Sequence, residues 1–239
     1  MFNLHAPPPG LIMRLTAEPP RPGREILDQV EDIWLRQRAR FPGLFNGDLF
    51  SLDRFEGQAA LGWACPYKWF VAQLAEPLLR RHLRVCSLAV SGLCLATGRL
   101  VFGLRDQDLF LDPGLWELAP SGGIPCSSLE PNKTLSYSRQ FQVELREELG
   151  VDLAQPAVIE PFVIVEDTST NIWDMGLAFE LPMEPDEVAR LHRERGSGEY
   201  TALEMVPVHE AGAFLAGHQG RVSGVSRALL EAKGLLAGD

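Results

Sequence analysis

The sequence predicts an α/β (α+β) fold, in which helices cover a mixed β-sheet and an N-terminal extension packs on it. Two observations lead to this prediction. From about residue 85 the hydrophobic patterns follow the order β-β-β-α-β-β-α-β-α, which is typical of strands and helices packed in layers. The chain of 239 residues is 46% hydrophobic and 23% charged, a globular composition that can bury a sizeable core.

Residues 1–84 divide into a proline-rich arm and a region with elements of its own. Residues 1–23 contain six prolines, which disfavour helices, so we expect an extended arm with one short strand at Leu11–Leu15. Arg24–Phe41 is a predicted helix, because apolar residues recur at helical spacing up to the Pro42-Gly43 stop. Residues 24–84 are expected to pack on the domain that follows. Their other predicted elements are strands at Leu44-Phe45, Leu49–Phe55 and Ala59–Ala64, and a helix, interrupted near Pro77, at Tyr67–Leu83.

Residues 85–239 carry the remaining elements and are predicted to form the main domain. Val85–Leu95 and Leu100–Leu104 flank a turn at residues 97–99, so they are expected to pair as a hairpin. Period-2 and 3.6-residue patterns predict the rest. The other strands are expected at Leu115–Leu118, Val158–Val165, Met175–Glu180 and Ala202–Val206, and the helices at Leu135–Leu149, Asp186–Arg195, Val208–Leu215 and Val222–Leu236.

The charge balance and the cysteines argue against several classes of function. With 22 Lys+Arg against 32 Asp+Glu the net charge is −10, which argues against nucleic acids and anionic membranes as partners, since both attract basic surfaces. A bound divalent cation can still draw an anionic substrate to an acidic protein. The four cysteines form no CxxC pair and no cluster with histidines, so we expect reduced thiols and no zinc site. We find no secretory signal at residues 1–10 and no apolar run of the ~18–20 residues that span a bilayer, and therefore expect a cytoplasmic protein.

The predicted helix at Leu135–Leu149 carries three acidic side chains on one face. A helical residue turns by ~100°, so Glu144, Glu147 and Glu148 lie side by side, next to an apolar stripe that docks the helix on a sheet. One interpretation is a solvated surface face. The other is a site for Mg²⁺ or Mn²⁺, hard cations that carboxylates bind and share with phosphates. The upstream Gly122-Gly123 turn favours the second, because glycines let backbone groups approach a metal or a phosphate closely.

These residues resemble the signature of the Nudix hydrolases. A strand and a Gly-Gly turn at Trp116–Gly123 resemble the segment that precedes the signature. The positions that match the second half of the signature are Glu144, Leu145, Glu147, Glu148, Gly150 and Val151.

The chain also departs from that signature. Val143 stands where the family has an arginine, and six extra residues lie between the Gly-Gly turn and Glu144. The missing arginine could be replaced in part by Arg139 or Arg146. Two further signature positions, normally Gly and Glu, are occupied by Leu129 and Leu135, and Glu130 could stand in for the Glu.

The resemblance implies a Nudix-type mixed-sheet α/β/α sandwich over residues 85–239, and hydrolysis of a nucleoside diphosphate linked to another moiety. It implies that Glu144, Glu147 and Glu148 bind Mg²⁺ or Mn²⁺, which neutralises the diphosphate and activates water for in-line attack. Gly122 and Gly123 would border the bound groups. The general base would be a glutamate of the helix, here Glu144, or an acid of a later loop.

Among the loop acids we select Glu199, because it follows a Gly-Ser-Gly hinge and precedes a predicted strand. The alternative interpretation of Glu199 is a solvated loop residue. Glu166, Asp167 and Asp174 are further acids that could serve as the base.

The likeness extends to a divergent branch of the family that cleaves UDP-glucose and UDP-galactose. Leu44-Phe45-Asn46 and Glu199-Tyr200-Thr201 resemble short segments of that branch. A nucleotide sugar such as UDP-glucose is therefore the expected substrate, with ADP-ribose as the main competitor. Tyr67, Trp69 or Phe70 are either core residues or a platform on which a base stacks. A Nudix fold that binds a nucleotide or a protein without cleaving it is the alternative class of function, and the sequence also allows a homodimer.

Overall fold

The computed structural model describes residues 1–130, 132–153 and 159–236. Within them, one mixed sheet is flanked by helices. The strands are β1 Phe2–His5, β2 Ile12–Leu15, β3 Asp48–Glu56, β4 Ala59–Pro66, β5 Ser87–Ala96, β6 Arg99–Arg105, β7 Trp116–Leu118, β8 Ser121–Gly123, β9 Thr134–Leu135, β10 Pro161–Asp167, β11 Ile172–Leu181 and β12 Tyr200–Pro207. The α-helices are α1 Arg24–Arg40, α2 Tyr67–Ala75, α3 Arg80–Leu83, α4 Tyr137–Leu149, α5 Pro185–Arg195, α6 Ala211–Gly217 and α7 Gly224–Ala232.

Strand β5 is the centre of the sheet. It runs parallel to β11 over ten residue pairs and antiparallel to β3, β6 and β8. Nine of its ten residues are buried, which explains its nearly continuous apolar sequence. Leu88 and Val90 share a core with α4, whereas Leu93 shares a second core with α7. The predicted α/β/α layering is thus confirmed, and the two faces of β5 carry different helices.

Helix α4 forms where the sequence predicts it, with clear signals at both ends. The Ser136 hydroxyl accepts a hydrogen bond from the Arg139 backbone N–H at 3.2 Å and caps the first turn. Gly150 has φ 69°, the left-handed conformation that ends a helix at little cost to glycine. Phe141 and Leu145 are fully buried against the sheet. This docking fixes the acidic face of α4 relative to β8.

The N-terminal segment contributes more to the sheet than predicted. Strand β2 is the expected one, but β1 is an additional strand that pairs antiparallel with β10 at the sheet edge. The His5 ring also stacks on Trp173, with centroids 4.7 Å apart. The prolines lie between and after the two strands, where they remove no strand hydrogen bond. They are therefore compatible with β1, although a proline-rich segment does not predict a strand.

Residues 24–84 form a core of their own beside the main one. Val30 and Trp34 of α1 pack with Trp63 and Phe70 in that core. The predicted interruption near Pro77 is confirmed, because a 3₁₀ turn separates α2 from α3. The predicted strand at Leu44-Phe45 is wrong: the strand begins only at Asp48.

The remaining elements follow the prediction with changed limits. The β5–β6 hairpin is confirmed. Strand β10 begins at Pro161, and Val158, the predicted start, lies outside the described residues. Helix α7 ends at Ala232 instead of Leu236, shortly before Gly234 adopts φ 70°.

Two findings concern features expected from composition. All four cysteines are free thiols, as predicted, and Cys65 and Cys94 are buried. No helix in the described part of the chain is both long and apolar enough to cross a membrane.

Candidate active site

Glu148 of α4 is buried and held on one side only. Its side chain is almost inaccessible, with 2% of the residue exposed. The Ser121 backbone N–H and the Tyr200 hydroxyl both donate to its Oε2, at 2.8 Å and 3.1 Å. Its Oε1 is buried and accepts no hydrogen bond from the described residues. A buried carboxylate oxygen without a donor is costly, so this oxygen fits a cation ligand.

Glu144, one turn before, occupies the space that Gly122 leaves free. A Cβ at position 122 would overlap the Glu144 carboxylate. The Gln140 amide donates to Glu144 Oε1 at 2.6 Å and orients it. The predicted turn at Gly122-Gly123 is wrong, because Ser121–Gly123 forms strand β8 against β5. Gly122 brings this strand against the α4 carboxylates, while a Cβ at Gly123 would meet open space.

Glu147 is much more exposed than this pair. Its side chain is 56% exposed and lies 3.6 Å from the Arg146 guanidinium. The structure thus brings Glu144 and Glu148 to the same place and leaves Glu147 at the edge. Among residues 1–130, 132–153 and 159–236, no three or more His, Cys, Asp or Glu side chains form a group that could hold a metal ion.

Glu148 also contacts a buried network of charged and polar side chains that was not predicted from the sequence. Arg105 Nη1 donates to Glu117 Oε1 at 2.6 Å, and Arg105 Nη2 lies 3.2 Å from Glu199 Oε1. The Tyr200 hydroxyl, 2.8 Å from the same Glu117 oxygen, connects this ion pair to Glu148. One guanidinium and one phenol therefore link three glutamates.

Glycine again makes room for this network. A Cβ at Gly103 on β6 would lie 2.5 Å from the Tyr200 ring, so only glycine lets the ring lie flat on the strand. The signal that could have revealed the network is a charged residue within an apolar strand, which is rarely buried unless paired. Both Arg105, at the end of β6, and Glu117, in the middle of β7, fit that description.

The predicted substitutes for the missing signature arginine lie elsewhere. Arg146 pairs with the exposed Glu147, and Arg139 contributes its backbone N–H to the α4 cap. Arg105, which comes from a different strand, is the cation that the structure places among the glutamates.

The electrostatics of this cluster favour a bound cation. Burial, reinforced by the charges of Glu199 and Glu147, raises the pKa of Glu144 to about 7, although the Gln140 hydrogen bond opposes the shift. Burial and the same kind of repulsion raise the pKa of Glu148 well above its ordinary value. Burial also raises the pKa of Glu117, against the effect of Arg105. The residues fit Mg²⁺ or Mn²⁺, because a cation would relieve this repulsion and satisfy Glu148 Oε1.

A cavity of about 520 Å³ adjoins the cluster, a size usual for small-molecule sites. The cluster contributes Arg105, Glu117 and Glu199 to its wall. The sheet contributes small and polar groups, and the N-terminal region contributes aromatic ones. The sheet-side residues include Ser87, Ser91, Ser121, Gly122, Gly123 and Asp174, and those of the N-terminal region include Phe41, Leu44, Phe45, Tyr67 and Phe70.

The structure separates the residues whose roles the sequence left open. Tyr67 and Phe70 line the cavity, whereas Trp69 packs on Trp63 with ring centroids 5.9 Å apart. Glu166 binds His5 at the sheet edge, at 2.9 Å. The two carboxylate oxygens of Asp167 accept hydrogen bonds from the hydroxyls of Ser169 and Thr170.

Comparison with known proteins gives distant structural likenesses. No protein-family model and no curated protein matches the chain. A Nudix hydrolase from Nitrosomonas europaea superposes with a TM-score of 0.41 and 12% identity, over 62% of this chain and 88% of that one. A bifunctional NMN adenylyltransferase/ADP-ribose pyrophosphatase from Francisella tularensis gives 0.44 and 12%, over 69% and 45%. The dihydroneopterin triphosphate pyrophosphohydrolase of E. coli gives 0.39 and 17%, over 60% and 92%. At these values the likeness establishes no activity for this chain.

Proposed function

We propose that this chain is a Nudix-type hydrolase that cleaves a nucleoside diphosphate linked to another moiety, with a nucleotide sugar such as UDP-glucose as the first substrate to test. The observation that carries the proposal is Glu148, which is buried with one carboxylate oxygen unsatisfied and is linked through Tyr200 to Glu117 in the wall of a ligand-sized cavity. Beside it lie Glu144 and Gly122 of β8, and Gly122 also lines the cavity. This arrangement suits a divalent cation shared with a diphosphate.

The residues that would hold Mg²⁺ or Mn²⁺ are Glu148 and Glu144, and the exposed Glu147 is the third carboxylate that the resemblance implies. When bound, the cation would neutralise the diphosphate and lower the pKa of water. Glu144 is our choice for the general base, since the Gln140 amide orients its carboxylate on the same helix face as Glu148.

Glu199 has a supporting role in this proposal. Its side chain is 33% exposed and lies 3.2 Å from Arg105, so one of its oxygens is already engaged. Its negative charge contributes to the raised pKa values of Glu144 and Glu148. We therefore assign Glu199 to the electrostatics of the site and Glu144 to proton transfer.

The cavity supports a substrate with a flat group and several hydrogen-bond donors. Aromatic side chains such as Tyr67 and Phe70 line the same cavity as serine hydroxyls and the Asp174 carboxylate. A base can stack on aromatic rings, and sugar hydroxyls can donate to carboxylates. ADP-ribose offers similar groups and is the competing substrate.

A second candidate function is nucleotide binding without cleavage. It is favoured by the position of Glu147, which is 56% exposed and lies 3.6 Å from the Arg146 guanidinium. If Glu147 does not reach the cation, the site has two carboxylate ligands and could hold a nucleotide without activating water.

The test is phosphate release from UDP-glucose, UDP-galactose and ADP-ribose, each with and without Mg²⁺. We expect Mg²⁺-dependent turnover that is lost in Glu148→Gln and retained in Glu231→Gln, a matched change at an exposed position of α7. Calorimetric titration with Mn²⁺ should show the same contrast. Tight nucleotide binding with no turnover by the folded wild type would favour the second candidate. Unchanged turnover in Glu148→Gln would reject the proposed site.

A further inference from the structure

Asp174 on β11 is a carboxylate in the wall of the cavity that the proposed chemistry does not use. Only 5% of the residue is exposed. The Ser91 hydroxyl donates to its Oδ1 at 2.9 Å, and lies 3.1 Å from the Ser121 hydroxyl. Its Oδ2 accepts no hydrogen bond from a described residue, although Asp174 lines the cavity.

Among the described residues, the largest charge effects on this buried group come from other acids. They belong to Glu117, Asp112 and Asp167, and all three are negative. Burial is the main cause, and these charges a lesser one, of a pKa raised to about 7. A single hydrogen bond from Ser91 does not offset the loss of solvation of a carboxylate. The missing partner is a hydrogen-bond donor, and the cavity is the open route to Oδ2.

Ser121 places this group within reach of a ligand held at the glutamates. The Ser121 backbone N–H binds Glu148, while its side chain contacts Ser91, which binds Asp174. Ser121, Gly122 and Asp174 line one cavity, so a molecule bound beside Ser121 and Gly122 can reach Asp174. A carboxylate repels phosphate, so the phosphate-free end of such a molecule would lie there.

We infer that Asp174 determines substrate specificity by accepting a hydrogen bond from an N–H or O–H group of the non-phosphate part of the substrate. This inference rests on the proposed function for the nature of the ligand. The donor could belong to the nucleoside or to the group attached to the diphosphate. Ser91 is the positioning residue, because its hydroxyl fixes the orientation of the carboxylate.

The test measures equilibrium binding by calorimetry, with Ca²⁺ in place of Mg²⁺ to limit hydrolysis. The probes are UDP-glucose, UDP and inorganic diphosphate, and the variants are Asp174→Asn, which keeps the shape, and Ser91→Ala. Asp32→Asn, at an exposed position of α1, is the control. We expect Asp174→Asn to weaken UDP-glucose at least tenfold, as for a hydrogen bond to a charged group. Ser91→Ala should weaken the binding of UDP-glucose less, and neither variant should change the affinity for inorganic diphosphate.

The UDP arm identifies the source of the donor. Weaker binding of UDP places the donor on the nucleoside, whereas unchanged UDP binding places it on the attached group. The inference is overturned if Asp174→Asn binds UDP-glucose as the wild type does, or weakens diphosphate equally. Absence of binding of all probes to the wild type also overturns it. If binding depends on Asp174 but no hydrolysis occurs, the inference is supported and the proposed hydrolase activity is rejected. If hydrolysis occurs and Asp174→Asn does not change it, the hydrolase activity is supported and the inference is rejected.

Discussion

Tyr200→Phe removes one oxygen atom from the centre of the candidate site and leaves the ring in place. The hydroxyl lies 2.8 Å from Glu117 Oε1 and 3.1 Å from Glu148 Oε2, in a residue that is 2% exposed. The ring packs on Gly103, so the phenylalanine can keep that contact. The substitution therefore tests the hydroxyl alone.

The expected effect follows from what each glutamate retains. Glu117 keeps Arg105, and Glu148 keeps the Ser121 N–H, so neither carboxylate loses all its partners. A buried hydrogen bond to a charged group contributes roughly 1.5–3 kcal/mol. We expect a loss of about 2 kcal/mol in unfolding free energy, which lowers the Tm of a chain of this size by roughly 4–8 °C. Because Glu148 loses one of two anchors on Oε2, its affinity for Mn²⁺ should fall about tenfold, which corresponds to ~1.4 kcal/mol.

Tyr137→Phe is the matched control, since the chain offers the same chemical change outside the site. The Tyr137 hydroxyl donates to the Glu160 carboxylate at 3.1 Å. Thermal unfolding and calorimetric Mn²⁺ titration of both variants separate stability from positioning. The control should lose stability without losing Mn²⁺ affinity. If Tyr200→Phe binds Mn²⁺ as tightly as Tyr137→Phe does, the hydroxyl does not position Glu148, and the argument is refuted.

Three further predictions follow from contacts in the same region. Gly122→Ala should displace the Glu144 carboxylate and weaken Mn²⁺ binding, while Gly123→Ala, whose Cβ meets nothing within 4 Å, should not; equal Mn²⁺ affinity in the two variants would contradict this. Arg105→Met leaves Glu117 buried without its partner and should cost about 3 kcal/mol in unfolding free energy. Adding Glu117→Gln should recover part of that loss. If the two substitutions instead have additive effects on the unfolding free energy, the ion pair does not stabilise the fold. Burial raises the pKa of Asp174 from 3.8 to about 7, so the folded chain holds a proton that the unfolded chain releases, and stability from this group falls as pH rises across that range. In metal-free protein, Asp174→Asn should therefore make the Tm fall less steeply as pH rises. A pH dependence of the Tm equal to that of the wild type would contradict the raised pKa of Asp174.

The fold was predictable wherever one segment carries its own pattern. The apolar stripe, the Ser136 cap and Gly150 identify α4 within the sequence, and the β5–β6 turn identifies the hairpin. Strand β1 could not be predicted, because its pairing partner among the described residues is β10, far along the chain. Leu44-Phe45 has the apolar character of a strand, yet these residues line the cavity.

The site was predictable in part for the same reason. Glu144 and Glu148 share one helix face, so their meeting point follows from helical spacing. Arg105, Glu117 and Tyr200 come from three different strands, and only the pairing of β6 with β7 and β12 brings them together. Glu144 and Glu148 are less exposed than Glu147 because β8 packs beside them. The position of β8 does not follow from the helical pattern of α4.

The pairing of β1 with β10 has a consequence for the growing chain. Phe2 faces Asp167 in the finished sheet, 165 positions later. At synthesis rates of ~5–20 residues per second, roughly 10–30 s separate the emergence of the two strands from the ribosome. Throughout that interval the first strand has no edge to join. Closure of this side of the sheet therefore waits for β10, and a nascent chain stalled before β10 would expose the hydrogen-bonding groups of β1 to other proteins.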